Sequence, residues 1–195
     1  MMRNRVAVRK IIVYAVYVMI LGLLQVTLPD NWMFQGCRPD LTLILAVLCG
    51  YMFGSSDGFV IGLASGLMRD LLAGRSLGLG MLLLMYIALL SSVLFRQFFR
   101  RNILLGLAQI EIMTVLYAFL MTMITFMIPL LPDVTHSWLD LAKPALLALP
   151  AQMIANLLAG IPLIFLLAFL GPYRRGSRTD DPDEEIVGGS VWRVN

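Results

Sequence analysis

Histidine is nearly absent from this chain of 195 residues: His136 stands alone. Cysteine is scarce too. Cys37 falls in a loop and Cys49 in an apolar run, a poor placement for a bridge. No set of His, Cys and carboxylates has the spacing that a metal site requires, and no phosphate-cradling loop of the P-loop type is present. Charged residues make up only 14% of the chain and collect between long apolar runs. The net charge of +3 therefore comes from basic residues at the ends of those runs and carries no sign of nucleic-acid binding. No segment between runs is long enough to be a soluble domain. These absences leave neither metal-dependent chemistry nor P-loop nucleotide hydrolysis a visible basis.

What the chain has instead is apolar surface. Hydrophobic residues are 59% of it, and the mean hydropathy is +0.85, values that belong to a multispanning membrane protein. The apolar runs cover 11–28, 41–53, 59–68, 77–95, 103–131 and 145–170. The second and third are shorter than the ~20 residues a spanning helix needs, so either both cross with flanking residues or they fuse into one span. Lys and Arg positions decide between these. With six spans and a cytoplasmic N-terminus, Arg3, Arg5, Arg9, Lys10, Arg96, Arg100, Arg101, Arg174, Arg175 and Arg178 all lie inside. Only Arg38, Arg69, Arg75 and Lys143 then lie outside. Five spans would divide these residues evenly, against the rule that basic loops stay in the cytoplasm. The expectation is an all-α membrane protein of six transmembrane helices with both termini cytoplasmic.

The basic N-terminus and first run resemble a signal peptide, but no small-residue cleavage site follows, so the run reads as an uncleaved first helix. Residues 1–173 form the six-span domain. Residues 174–195, with Asp180, Asp181, Asp183, Glu184 and Glu185, read as a disordered acidic cytoplasmic tail. Residues 29–40 and 132–140 make outer loops, with Trp32, Phe34 and Trp138 as interface anchors. Gly54-Ser-Ser-Asp57-Gly58 reads as a tight cytoplasmic turn.

Gly50, Gly54, Gly58, Gly62 and Gly66 recur every fourth residue. Each four-residue step overshoots a turn by about 40°, so five such positions would drift too far for one face. The row is expected to belong to two helices that meet near Asp57 and pack closely through small residues. This hairpin is also the expected contact for a partner helix. Asp70 lies one further step along and serves either a local Arg pairing or a fixed contact that holds the outer turn. The last run carries Ala148, Gln152, Ala155 and Ala159 with Asn156 beside them, a stripe suited to internal packing or to docking. Pro150 and Pro162 can bend that helix. Glu111 is the acid deepest in a span, which makes it a functional candidate by default, although a proton path would show several such groups.

Gly74-Arg-Ser76-Leu-Gly78 matches the nucleophile-elbow spelling, and His136 would share its side of the membrane. The motif needs a strand before the serine, whereas here it joins two membrane helices. Catalysis by Ser76 and His136 is not expected.

Arg38-Pro39-Asp40-Leu41, then Gly58-Phe59 through Gly62, Gly66-Leu67-Met68-Arg69-Asp70-Leu71-Leu72-Ala73-Gly74 and Leu77-Gly78, resemble the MreD family of rod-shape-determining proteins. The motifs lie within residues 38–95. The extra Gly58–Gly62 turn, Arg69 ahead of Asp70 and the acidic tail depart from the family pattern. The resemblance implies a bacterial cytoplasmic-membrane protein without catalytic activity or cofactor. It implies MreC, MreB, RodA and a penicillin-binding transpeptidase as partners in cell-wall elongation, beside membrane lipid. It also implies a six-helix fold like the substrate-binding subunits of energy-coupling-factor transporters. A solute-binding subunit of that kind is the alternative function. Those subunits resemble one another in an Ala-x-x-x-Ala motif on the first helix, which this chain lacks there. Ala151, Ala155 and Ala159 carry that spacing on the last helix instead.

Overall fold

A computed structural model of the chain describes residues 2–73, 78–94, 102–127 and 137–172. The described residues form six α-helices: α1 (Met2–Thr27), α2 (Leu41–Phe53), α3 (Ser55–Ala73), α4 (Leu79–Leu94), α5 (Ile103–Met127) and α6 (Trp138–Leu170). A single 3-10 turn, Asp30–Trp32, lies in the first long connection, and no strand forms among the described residues.

The helix α2 is the axis of the bundle. Its sequence is apolar on every side, which is the pattern of a fully surrounded helix. Every residue of it except Phe53 is buried, and it touches each of the other five helices. On one side of it α3 and α4 pack most closely of all, with α1 against α3; on the other side α5 and α6 form a pair.

Helix ends follow local chemistry. Asp40 caps α2, its carboxylate accepting from Leu43 N–H at 3.0 Å. Gly54 ends α2 at φ 100° and ψ −177°, a conformation essentially reserved for glycine. The chain then enters α3 at once. Asp57 therefore lies in the first helical turn of α3 rather than in a solvated turn, and it is buried. Gly54 thus leaves the packing row: its role is backbone conformation.

Helix α6 starts earlier than hydropathy suggests. A capping box joins Ser137 and Asp140, with both bonds at 3.3 Å. This draws Trp138 and Asp140 out of the expected outer loop and into the first turn. Trp138 meets Phe126 of α5 edge to face, with centroids 5.5 Å apart. The helix contains Pro144, Pro150 and Pro162, each of which removes one ladder hydrogen bond.

Among the described residues three helices are long and apolar enough to cross a membrane: α1 over Val8–Thr27, α5 and α6. The apolar helices α2 and α4 are shorter. The acidic tail lies outside the described residues.

Candidate functional site

The sequence element Arg38-Pro39-Asp40 lies at the centre of a polar network that joins helix ends. Pro39 and Asp40 are buried. Arg38 reaches back to pair with Asp30 at 2.8 Å. Asp40 caps α2 with one carboxylate oxygen, which also accepts from Thr42 Oγ1 at 2.8 Å. Its other oxygen pairs with Arg69 of α3 at 2.7 Å. The Arg69 guanidinium lies over the Tyr117 ring of α5, 5.0 Å from its centroid. The Asp40 N–H donates to Asn156 Oδ1 of α6 at 2.7 Å, and Asn156 Nδ2 donates to Thr114 Oγ1 of α5 at 2.9 Å. Gln152 of α6 donates to the Arg38 carbonyl at 2.8 Å, and Gln25 of α1 accepts from Leu41 N–H at 2.7 Å. Five helices thus meet through one short segment.

Asp70 brings in the sixth. Its carboxylate accepts from Gly78 N–H at 2.9 Å and from Met81 N–H at 3.2 Å. These are unsatisfied donors at the start of α4, so Asp70 acts as its cap from outside the helix. Arg69 pairs with Asp40, not with its neighbour Asp70, so the carboxylate holds the turn before α4. Gly78 has φ +115°, which frees its N–H to point at Asp70.

The opposite end of the bundle has a second polar centre. Asp57 accepts from Tyr14 Oη at 2.6 Å and pairs with Lys10, tying α1 to α3. Tyr51 of α2 bonds with Asn102 just ahead of α5, donating at 3.1 Å and accepting at 3.0 Å. Between the two ends, Gln109 of α5 donates to Ser91 of α4, whose hydroxyl donates to the Val47 carbonyl of α2 at 2.8 Å. Buried polar groups need such partners. These bonds use the polar side chains to fix helix against helix. Among the described residues no His, Cys, Asp and Glu cluster could hold a metal.

The glycines face the inside of the molecule. A Cβ built on Gly58 would lie 2.8 Å from Gly50 Cα and 3.1 Å from the Ala88 carbonyl oxygen. On Gly62 it would lie 2.7 Å from the Leu84 oxygen, and on Gly66 2.6 Å from the Gly80 oxygen. Gly50 meets the Ala88 carbonyl directly. So Gly50, Gly58, Gly62 and Gly66 let α2, α3 and α4 touch backbone to backbone. The α2–α3 hairpin does not present these positions to a partner helix, because α4 of the same chain occupies them.

The alanine stripe divides. Ala155 is buried, Gln152 and Ala159 are half-buried, and Ala148 is exposed, its carbonyl 3.7 Å from Cys37 Sγ. Glu111 is half-buried on α5, and its Oε1 finds no hydrogen-bond partner among the described residues. Gly74, Ser76 and His136 lie outside the described residues. Lys10, Tyr14, Gln25 and Thr114 were not legible as network members. Their signal was weak but real: each is a polar residue within or at the edge of an apolar helix, where a partner has to exist.

A family model described as rod shape-determining protein MreD matches residues 4–170, which include almost all of the described helices. No curated protein and no solved structure matches the chain.

Proposed function

Because the chain belongs to the MreD family, a membrane family that acts in rod-shape determination, we propose that it is a non-catalytic scaffold of the cell-wall elongation complex that binds the membrane helix of an MreC-like protein. The carrying observation is the family match over residues 4–170. The polar side chains support it, since they are bonded to one another across helices. The scaffold serves the machinery of MreB, RodA and a penicillin-binding transpeptidase.

The partner surface follows from what the fold leaves open. With the glycines covered by α4, the outward face of α1 is the better candidate. Ile12, Val16, Met19, Leu23 and Val26 are all exposed there. Their alternating three- and four-residue spacing is that of a helix-pairing seam. Cysteines placed along residues 8–27 should crosslink to an MreC-like partner most strongly at 12, 16, 19 and 23. Adducts confined to α5 and α6, or no adducts, would remove the contact proposed here. In rod-shape complementation of a strain lacking its own gene, Ser76→Ala and His136→Ala should support normal shape. Loss of shape at normal protein level would turn the reading towards a hydrolase.

All six helices cross the cytoplasmic membrane in this reading, with both termini inside. An impermeant thiol reagent should reach cysteines at Asn31 and Thr135 from outside, but not at Ser56 or Arg178. Labelling of Arg100→Cys from outside would overturn the six-span arrangement.

A further inference from the structure

The two sides of the bundle offer lipid apolar belts of different height. On α3 the exposed large apolar side chains run from Phe59 to Leu71, and on α4 from Leu82 to Leu94. The α3 belt is about 18 Å tall at ~1.5 Å per residue, and α4 shows about the same height over its described residues, which end at Leu94. On α5 the exposed apolar residues run from Leu104 to Met127, and on α6 from Leu139 to Leu170, or about 34 Å and 46 Å. The hydrocarbon core of a bilayer is about 30 Å thick. The α3 face is therefore too short for it and the α5–α6 side more than long enough; α1, which packs on α3, is exposed from Val8 to Val26, or about 27 Å.

Helix tilt does not remove the difference, because polar bonds set the helices at common levels. Asp57 and Arg69, at the two polar ends of the bundle, lie about 18 Å apart along α3. At the Asp40 end, Asn156 of α6 bonds both Asp40 and Thr114 of α5, so these residues share one height. From there α5 continues to Met127, about 20 Å further, and α6 reaches back to Trp138, about 27 Å further. The Trp138–Phe126 contact keeps the two extensions together. The extensions expose Phe119, Phe126, Leu146 and Leu147, side chains that suit lipid and not water. Among the described residues the start of α4, tied down by Asp70, has no such extension.

We propose that this protein holds the bilayer at two thicknesses, with phospholipid compressed beside α3 and α4 and uncompressed beside α5 and α6. This rests on the reading that all six helices span the membrane. A helix shorter than the local core is met by thinning of the bilayer, and a longer one by tilt or thickening. A rigid bundle with both on opposite sides imposes a step. The favoured lipids at the thin face are phospholipids of short acyl chain.

The test measures local lipid preference on the purified full chain. Trp32, Trp138 and Trp192 are replaced by Phe, and a single tryptophan is returned as Phe59→Trp on α3 or Phe119→Trp on α5. Each protein is reconstituted in phosphatidylcholine of about 14 to 22 carbons per chain, in competition with brominated phosphatidylcholine that quenches tryptophan. The α3 reporter should favour the shortest chains by roughly threefold over the longest, and the α5 reporter should show the reverse order. Val93→Trp on α4 and Phe165→Trp on α6 repeat the comparison should either first reporter fail to fold. The same chain-length optimum on both faces would overturn the proposal. So would quenching at Phe59→Trp without quenching at Phe119→Trp, which would mean that protein and not lipid covers the α5 extension. Absence of quenching at every reporter would instead overturn the spanning reading itself.

Discussion

Gly66→Ala is expected to cost more than about 2 kcal/mol and to lower the yield of folded protein sharply, although alanine is the better helix former. A Cβ at position 66 would fall 2.6 Å from the Gly80 carbonyl oxygen and 2.7 Å from Met81 N. Those are backbone atoms of α4, which cannot rotate aside as a side chain could. The helices must separate, and overpacking typically costs ~1–3 kcal/mol. Gly62→Ala should behave similarly, with the Leu84 oxygen at 2.7 Å. Gly106→Ala supplies the opposite expectation. Its nearest neighbour, the Tyr51 ring, would lie at an ordinary 3.4 Å. That variant should be neutral or gain up to ~1 kcal/mol from helix propensity. Thermal unfolding in detergent, read by helical circular dichroism, separates the cases. If Gly66→Ala unfolds at the wild-type temperature, α3 and α4 are not in backbone contact.

Asp40→Ala is expected to be at least as damaging, for an electrostatic reason. The substitution leaves the Arg69 guanidinium, with its side chain only 28% exposed, without its carboxylate. Removing one partner of a buried ion pair costs ~3–5 kcal/mol. It also removes the α2 cap, worth ~1 kcal/mol. Asp40→Asn should retain the cap and lose the pair, and so fall between Asp40→Ala and wild type. Adding Arg69→Met to Asp40→Asn should restore part of the loss, because the uncompensated charge is then gone. The double-mutant cycle, run on the same unfolding assay, should give a favourable coupling for the native pair. Additive effects would mean that Asp40 and Arg69 do not interact across the α2–α3 interface, and the network would lose its centre.

The glycine row shows how far spacing alone can be read. A four-residue repeat placed Gly58, Gly62 and Gly66 on one helical face, and that face is where α4 lies. The same spelling could not separate Gly54, which serves backbone conformation, from its neighbours, since φ is not written in spacing. Nor could it say whether a small-residue face meets its own chain or another. That depends on which helix the fold delivers there, and α4 arrives because Asp70 anchors its first turn. Hydropathy likewise found the start of α5 but placed the last span late. A capping box at Ser137 and Asp140 starts a helix whether or not its first turns are apolar.

Composition and the spacing of apolar runs by themselves determined that this is a helical membrane protein, and the residues from Arg38 to Gly78 carried its family. They could do so because hydrophobic length and local turn chemistry are properties of contiguous sequence. Only the tertiary structure decided that Asp40 pairs with Arg69, that Asn156 joins α2 to α5, and that Lys10 and Tyr14 meet Asp57. Those partners are distant in the chain. In an apolar bundle each buried polar group must find another, but the choice of which one is made by the packing that brings their helices to the same height.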